Sequence, residues 1–90
     1  MFYVYVLHST RDWGLYIGYS TGLRRRLSEH KDGASRATGY RGPWNLIYYE
    51  AYVEETDPVG RERYSKSGGG GKLLRSQLRN YFAKHPLRTA

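Results

Sequence analysis

The ninety residues predict an α+β fold, a small three-stranded sheet with about three α-helices. Three observations carry that expectation. Three runs rich in β-branched and aromatic residues, around Tyr5, Ile17 and Ile47, alternate with turn residues. Apolar residues recur at helical spacing at Leu23 and Leu27 and again at Leu74, Leu78, Tyr81 and Phe82. The composition, 39% hydrophobic with ten tyrosines, lies well above that of a disordered tail.

Taken in order, Phe2 to Leu7 is the first strand, ending in the polar Ser9-Thr10-Arg11-Asp12 turn. Leu15 to Tyr19 resumes after Gly14, and the pair reads as a β-hairpin that can set Tyr5 and Tyr16 on one side of the sheet. Ser20 or Thr21 is the expected cap of a helix from about Gly22 to Lys31, stopped at Gly33. Arg26 and His30, four apart, share one face of it. Asp32 to Gly42 reads as a loop and Pro43 to Ala51 as a third strand, with Pro43 at its start. Thr56-Asp57-Pro58 is a cap followed by proline at the first helical position, which predicts a helix from about Pro58 to Ser67 that carries Glu62. Gly68 to Gly71 should stop that helix, and Lys72 to Lys84 should be a third. Residues 1–84 are expected to form one domain and 85–90 a frayed tail.

Charge and composition narrow the function classes. Fifteen Lys and Arg against eight Asp and Glu give a net charge of +7, and eleven of the fifteen are arginine, which points to a polyanionic partner. Cysteine is absent, which excludes a disulfide framework and thiolate metal sites. No apolar run approaches the ~20 residues of a membrane span, and the Met1-Phe2-Tyr3 start lacks a signal peptide's basic region. A cytoplasmic protein without membrane association is the expectation.

Tyr5, Tyr16, Arg26 and His30 lie within the first thirty residues, and together with Glu62 they supply the groups phosphodiester hydrolysis needs. Such a site requires a water activator, a cation for the developing charge and usually a metal. Each residue also has a plainer use. The tyrosines can be cross-strand core aromatics, Arg24-Arg25-Arg26 a solvated run, His30 a surface residue and Glu62 half of a surface ion pair. His8 and His85 have no second ligand at a metal-like spacing, and Trp13, Tyr40 and Trp44 are candidates to stack on unpaired bases.

The spacing of Tyr3-Val4-Tyr5, Leu15-Tyr16-Ile17-Gly18-Tyr19-Ser20-Thr21 and Leu23-x-x-Arg26-x-x-x-His30-x-x-Gly33 resembles the GIY-YIG nuclease superfamily. The likeness is to its small single-domain bacterial members and to the incision domain of the excision-repair endonuclease. It continues through Pro43-Trp44-x-Leu46-x-Tyr48-x-Glu50 and Arg61-Glu62-x-x-x-Lys66-Ser67-Gly68, with Tyr3-Val4 replacing the glycine and isoleucine of the first motif. The resemblance implies an antiparallel three-stranded sheet flanked by helices and a one-metal endonuclease acting on DNA. On that basis Tyr5, helped by His30 lowering its pKa, activates water and Tyr16 positions water or phosphate, although the two tyrosines are open to exchange of these roles. Arg26 clamps the phosphate, and Glu62 holds one Mg²⁺ or Mn²⁺. Arg24, Arg25, Arg36, Arg41, Lys66 and Lys72 are the candidate contacts to nucleic acid, and an RNA strand is an open alternative to single-stranded, duplex or branched DNA. The other reading is a non-catalytic nucleic-acid-binding module, in which Glu62 would repel phosphate unless a metal intervened. The pathway, whether repair, recombination, uptake or defence, is left open.

Overall fold

The structure, a computed structural model, describes residues 1–32, 39 and 41–87. Among them the order is β1 (Phe2–Ser9), β2 (Leu15–Ser20), α1 (Leu23–Lys31), β3 (Trp44–Tyr52), α2 (Thr56–Lys66), α3 (Gly68–Gln77) and α4 (Arg79–Lys84). The sheet is antiparallel in the order β2-β1-β3. β1 is therefore central, and Val4, Tyr5, Val6, Leu7, His8 and Ser9 are all buried along it.

Alternation sends Tyr3, Tyr5 and Leu7 to one face, and their register partners Ser20, Gly18 and Tyr16 go with them. α1 covers this face. Val4, Val6 and His8 point the other way, where α2 packs against all three strands and α4 sets Tyr81 and Phe82 against His8. Leu46 pairs with Leu7 and Tyr48 with Val6, so Ile47 is the extra residue of a β-bulge. The bulge resets the alternation, placing Trp44, Leu46 and Tyr49 on the Tyr5 face and Glu50 on the α2 face.

Four helical details differ from expectation. Neither Ser20 nor Thr21 caps α1; Gly22 holds the cap position, and Ser20 Oγ accepts the Gly22 N–H at 3.0 Å. α2 begins at Thr56, two residues before the expected start, and Glu55 rather than Thr56 or Asp57 holds the cap position, so Pro58 is the third helical residue, where its missing N–H is still one of the four a helix start leaves unbonded. The glycine run does not stop a helix but starts one. Ser67 leaves α2 in an extended conformation (φ −78°, ψ 165°) and its Oγ accepts the Gly70 N–H at 3.2 Å. A Cβ on Gly70 would lie 1.8 Å from Tyr64 O, so only glycine permits the close approach of α3 to α2. The expected Lys72–Lys84 helix is in fact two, α3 and α4, broken at Leu78 (φ −108°, ψ 25°). The expected stop at Gly33 lies outside the described residues.

Candidate active site

The hairpin turn fixes the two tyrosine strands. Ser9 N–H donates to Gly14 O at 2.9 Å, Gly14 N–H donates to Asp12 Oδ1 at 2.8 Å, and Trp13 between them takes a positive φ of 61°. Ser9 Oγ accepts the N–H groups of Arg11 and Asp12 and donates to Arg41 O at 2.6 Å, tying the turn to the approach to β3.

Tyr5 lies opposite Gly18, and its ring crosses the space a side chain there would need. A Cβ on Gly18 would fall 2.5 Å from both Cζ and Oη of Tyr5 and 2.9 Å from Cε1 of Tyr16. From above, α1 lowers His30, which is 3% exposed, so that its Nε2 lies 2.8 Å from Tyr5 Oη. The His30 ring stands edge-on to both phenols, with centroids 5.6 Å from Tyr5 and 5.1 Å from Tyr16. Trp44 closes the far side, 6.3 Å from Tyr16.

One helical turn before His30, the half-buried Arg26 pairs with Glu29 at 3.0 Å and reaches the phenol oxygens of Tyr5 and Tyr16. Glu62 of α2 is close enough for its charge to act on Tyr5. Its carboxylate takes a bond from Lys66 Nζ at 3.2 Å. The structure thus brings Tyr5, Tyr16, Arg26, His30 and Glu62 to one place, from two strands and two helices.

The electrostatics correct one expectation. Burial pushes the Tyr5 phenol above its ordinary pKa, and the opposing hydrogen bond from Arg26 does not cancel it. His30 therefore does not make Tyr5 an acidic phenol. Burial, reinforced by the Arg26 charge, instead lowers the His30 pKa below its ordinary value, so the imidazole is neutral at pH 7. A neutral imidazole protonated at Nδ1 leaves Nε2 to accept the Tyr5 O–H, the arrangement in which the histidine is the proton acceptor of the pair. Burial works against the Arg26 charge, but bonds to Tyr5 and Glu29 outweigh it and keep the guanidinium firmly protonated.

The candidate nucleic-acid contacts are scattered. Arg24 and Arg25 are exposed on the first turn of α1 and Lys72 is exposed on α3. Lys66 sits beside Glu62, whereas Arg41 is held by Asp12 at 2.8 Å and covers Trp44 at 4.8 Å. Arg36 and Tyr40 lie outside the described residues. Sequence reasoning missed three contributors. Gly18 was legible only once the hairpin register was counted, and Glu29 stands at the i+3 spacing that marks a helical ion pair. The third is Glu50, which accepts Arg61 Nη2 at 3.0 Å, Tyr48 Oη at 2.6 Å and the Tyr52 hydroxyl, pinning β3 to α2 one residue before Glu62.

Among the described residues no three His, Cys, Asp or Glu side chains cluster to hold a metal. The donor chemistry still suits a hard cation, since Mg²⁺ is commonly held by one or two carboxylates with water and substrate oxygens completing its shell. Glu62, with its side chain 25% exposed and its charge felt at Tyr5, offers such a carboxylate.

Phenols, an imidazole, a guanidinium and carboxylates gathered on a small antiparallel sheet are groups a nuclease-type site would use, and the family the chain belongs to is of that type. The chain belongs to the GIY-YIG family: the GIY-YIG catalytic domain matches residues 1–70. It is 37% identical over 84 residues to the UPF0213 protein SpyM50708 of Streptococcus pyogenes serotype M5, covering 92% of this chain and 86% of that protein. A UPF0213 protein of serotype M1 is equally similar. The solution structure of the UPF0213 protein BH0048 from Bacillus halodurans superposes with a TM-score of 0.54 at 31% identity, covering 86% of this chain and 85% of that one.

Proposed function

We propose that the protein is a metal-dependent endonuclease that hydrolyses phosphodiester bonds in DNA. The observation that carries this reading is the 2.8 Å contact between Tyr5 Oη and His30 Nε2, set beside Arg26 and within the field of Glu62. The attacking water gives its proton to Tyr5 Oη as the Tyr5 proton passes to His30 Nε2, so neither group has to exist as a free phenolate. This relay answers the raised pKa of Tyr5, which would make the isolated phenol a poor donor of a phenolate at neutral pH. Tyr16 orients the water or the phosphate from the other side of Gly18. Arg26, permanently charged, offsets the negative charge that grows on the phosphoryl oxygens. One Mg²⁺ or Mn²⁺ bound at Glu62 would supply Lewis-acid stabilisation of the leaving 3′ oxygen.

A non-catalytic strand-binding module is the second reading, and the Lys66–Glu62 pair favours it because it neutralises the carboxylate without a metal. One experiment decides between them: cleavage of labelled single-stranded, duplex and branched DNA by the purified protein in Mg²⁺ or Mn²⁺, against chelator, Glu62→Ala and Tyr5→Phe. Metal-dependent products lost in both variants establish the endonuclease. Intact DNA together with salt-sensitive binding in all three proteins establishes the binding module.

A further inference from the structure

Beside the catalytic cluster, on the same face of the sheet, lies a second recess that the hydrolytic chemistry does not use. Its volume is about 350 Å³, and Tyr3, Tyr49, Gly22, Leu23, Arg24 and Arg25 line it. Tyr49 is the register partner of Tyr5, and Tyr3 is the next residue of β1 on that face, so this recess adjoins the catalytic cluster without sharing its residues. Tyr49 is 54% exposed, and its ring meets that of Tyr3 at a centroid separation of 6.3 Å, tilted by 59°. Tyr3 thus props Tyr49 from one side, and more than half of Tyr49 stays open to solvent. Arg24 and Arg25 stand over the recess from α1, and among the described residues neither has a carboxylate partner, in contrast to Arg26, Arg41 and Arg61. The Arg25 guanidinium folds back to within 3.6 Å of where a Gly22 Cβ would lie, toward the recess rather than away from it.

We propose that this recess binds an unpaired DNA nucleotide next to the scissile phosphate, its base stacked on Tyr49 and its phosphate held by Arg24 and Arg25. The inference rests on the endonuclease reading for what lies next door, and on its own geometry for the stacking. An exposed aromatic residue with two guanidiniums free of carboxylates beside it complements the two parts of a nucleotide, an apolar ring and an anion. A base within a duplex has its faces covered by its neighbours and cannot lie on Tyr49. The recess therefore selects strands with at least one unstacked base at the cutting position.

The test is fluorescence anisotropy in chelator, where no cleavage occurs, using a short labelled single strand and the duplex of the same sequence. Tyr49→Ala is expected to weaken single-strand binding about tenfold, the value of one lost base stack, with duplex affinity unchanged. Tyr49→Phe, which keeps the ring, should bind as the native chain does. Replacing Arg24 and Arg25 by glutamine should lower the salt dependence of single-strand binding by about two phosphate contacts. Equal losses on both DNAs, no loss on either, or no single-strand binding by the native protein overturns the proposal. The two readings fail separately. Should DNA stay whole in Mg²⁺ while the Tyr49 effect persists, the endonuclease falls and the stacking site stands; metal-dependent cutting of single strands with no Tyr49 effect gives the reverse.

Discussion

Gly18 faces Tyr5 across the hairpin, and the methyl group it lacks is what gives the Tyr5 ring its position. A Cβ there would come within 2.5 Å of the phenol oxygen that His30 holds. The hydroxyl is an end of a buried, bonded side chain and has nowhere to retreat. Gly18→Ala is therefore expected to cost about 1–3 kcal/mol of stability through overpacking, and to lower the cleavage rate at least tenfold by displacing the phenol. Thermal unfolding and a cleavage time course check it; an alanine protein with native values for both would refute this account of Gly18.

Tyr5→Phe keeps the ring and removes the proton relay. The expected loss in rate is about 10²–10⁴-fold, the usual worth of a positioned proton carrier. Because buried His30 Nε2 loses its bond to Tyr5, stability should also fall, by about 1–3 kcal/mol. Tyr16→Phe, whose hydroxyl meets Arg26 rather than His30, should cost less stability than Tyr5→Phe. Comparing the two melting curves separates the tyrosines even before activity is measured.

Lowered by burial and by Arg26, the His30 pKa sets the acid limb of the rate profile. The neutral imidazole is the competent form, so kcat/KM should stay flat as pH falls through 6.5, the ordinary histidine value, and drop only below it. The same shift links to folding. The unfolded chain takes up the proton first as pH falls, so the stability from neutral His30 is complete above about 6.5 and is lost toward the lower native pKa. A pH profile breaking above 6.5 would contradict the burial argument, and His30→Gln should remove the break.

Glu50 acts at a distance. Burial alone would raise its pKa, but bonds from Tyr48, Tyr52 and Arg61 hold it below the ordinary glutamate value, so the carboxylate is charged and fully used. Glu50→Gln weakens the tie between β3 and α2 at the residue preceding Glu62, and should cost about 2 kcal/mol. The reading of Glu50 as a positioning residue further requires the Mg²⁺ midpoint for cleavage to rise. A stability loss with an unchanged midpoint would leave Glu50 a purely structural group.

Lys66 competes with any cation for Glu62. The pair is half exposed, so Lys66→Met should leave stability within about 1 kcal/mol. Metal titration of cleavage should shift to lower Mg²⁺, because the carboxylate no longer has an ammonium to displace.

Much of this was legible in the chain. The alternating tyrosines and the polar turn between them gave the hairpin, and the four-residue spacing of Arg26 and His30 placed both over it. What the sequence hid was tertiary. A glycine run ordinarily breaks helices, and nothing local reveals that Ser67 caps one there or that Gly70 must approach Tyr64. The bond of Glu50 to Arg61 joins residues eleven apart through the packing of α2 on β3. Nor does any residue type announce that burial, rather than the nearby cation, dominates Tyr5.

The bulge at Ile47 has a consequence for how this strand tolerates changes in length. A strand counts in twos, and Trp44 and Tyr49 share a face only because one residue between them is left out of the count. Deleting that residue would straighten the strand and leave both faces as they are, whereas gaining or losing a residue with the bulge kept would act as a frameshift in space: with Trp44 kept under Tyr16, Glu50 would swing into the phenols and Tyr49 into the helical layer. β3 should therefore accept the loss of its bulge residue and, elsewhere along its length, almost no change in its number of residues, a constraint of parity rather than of chemistry.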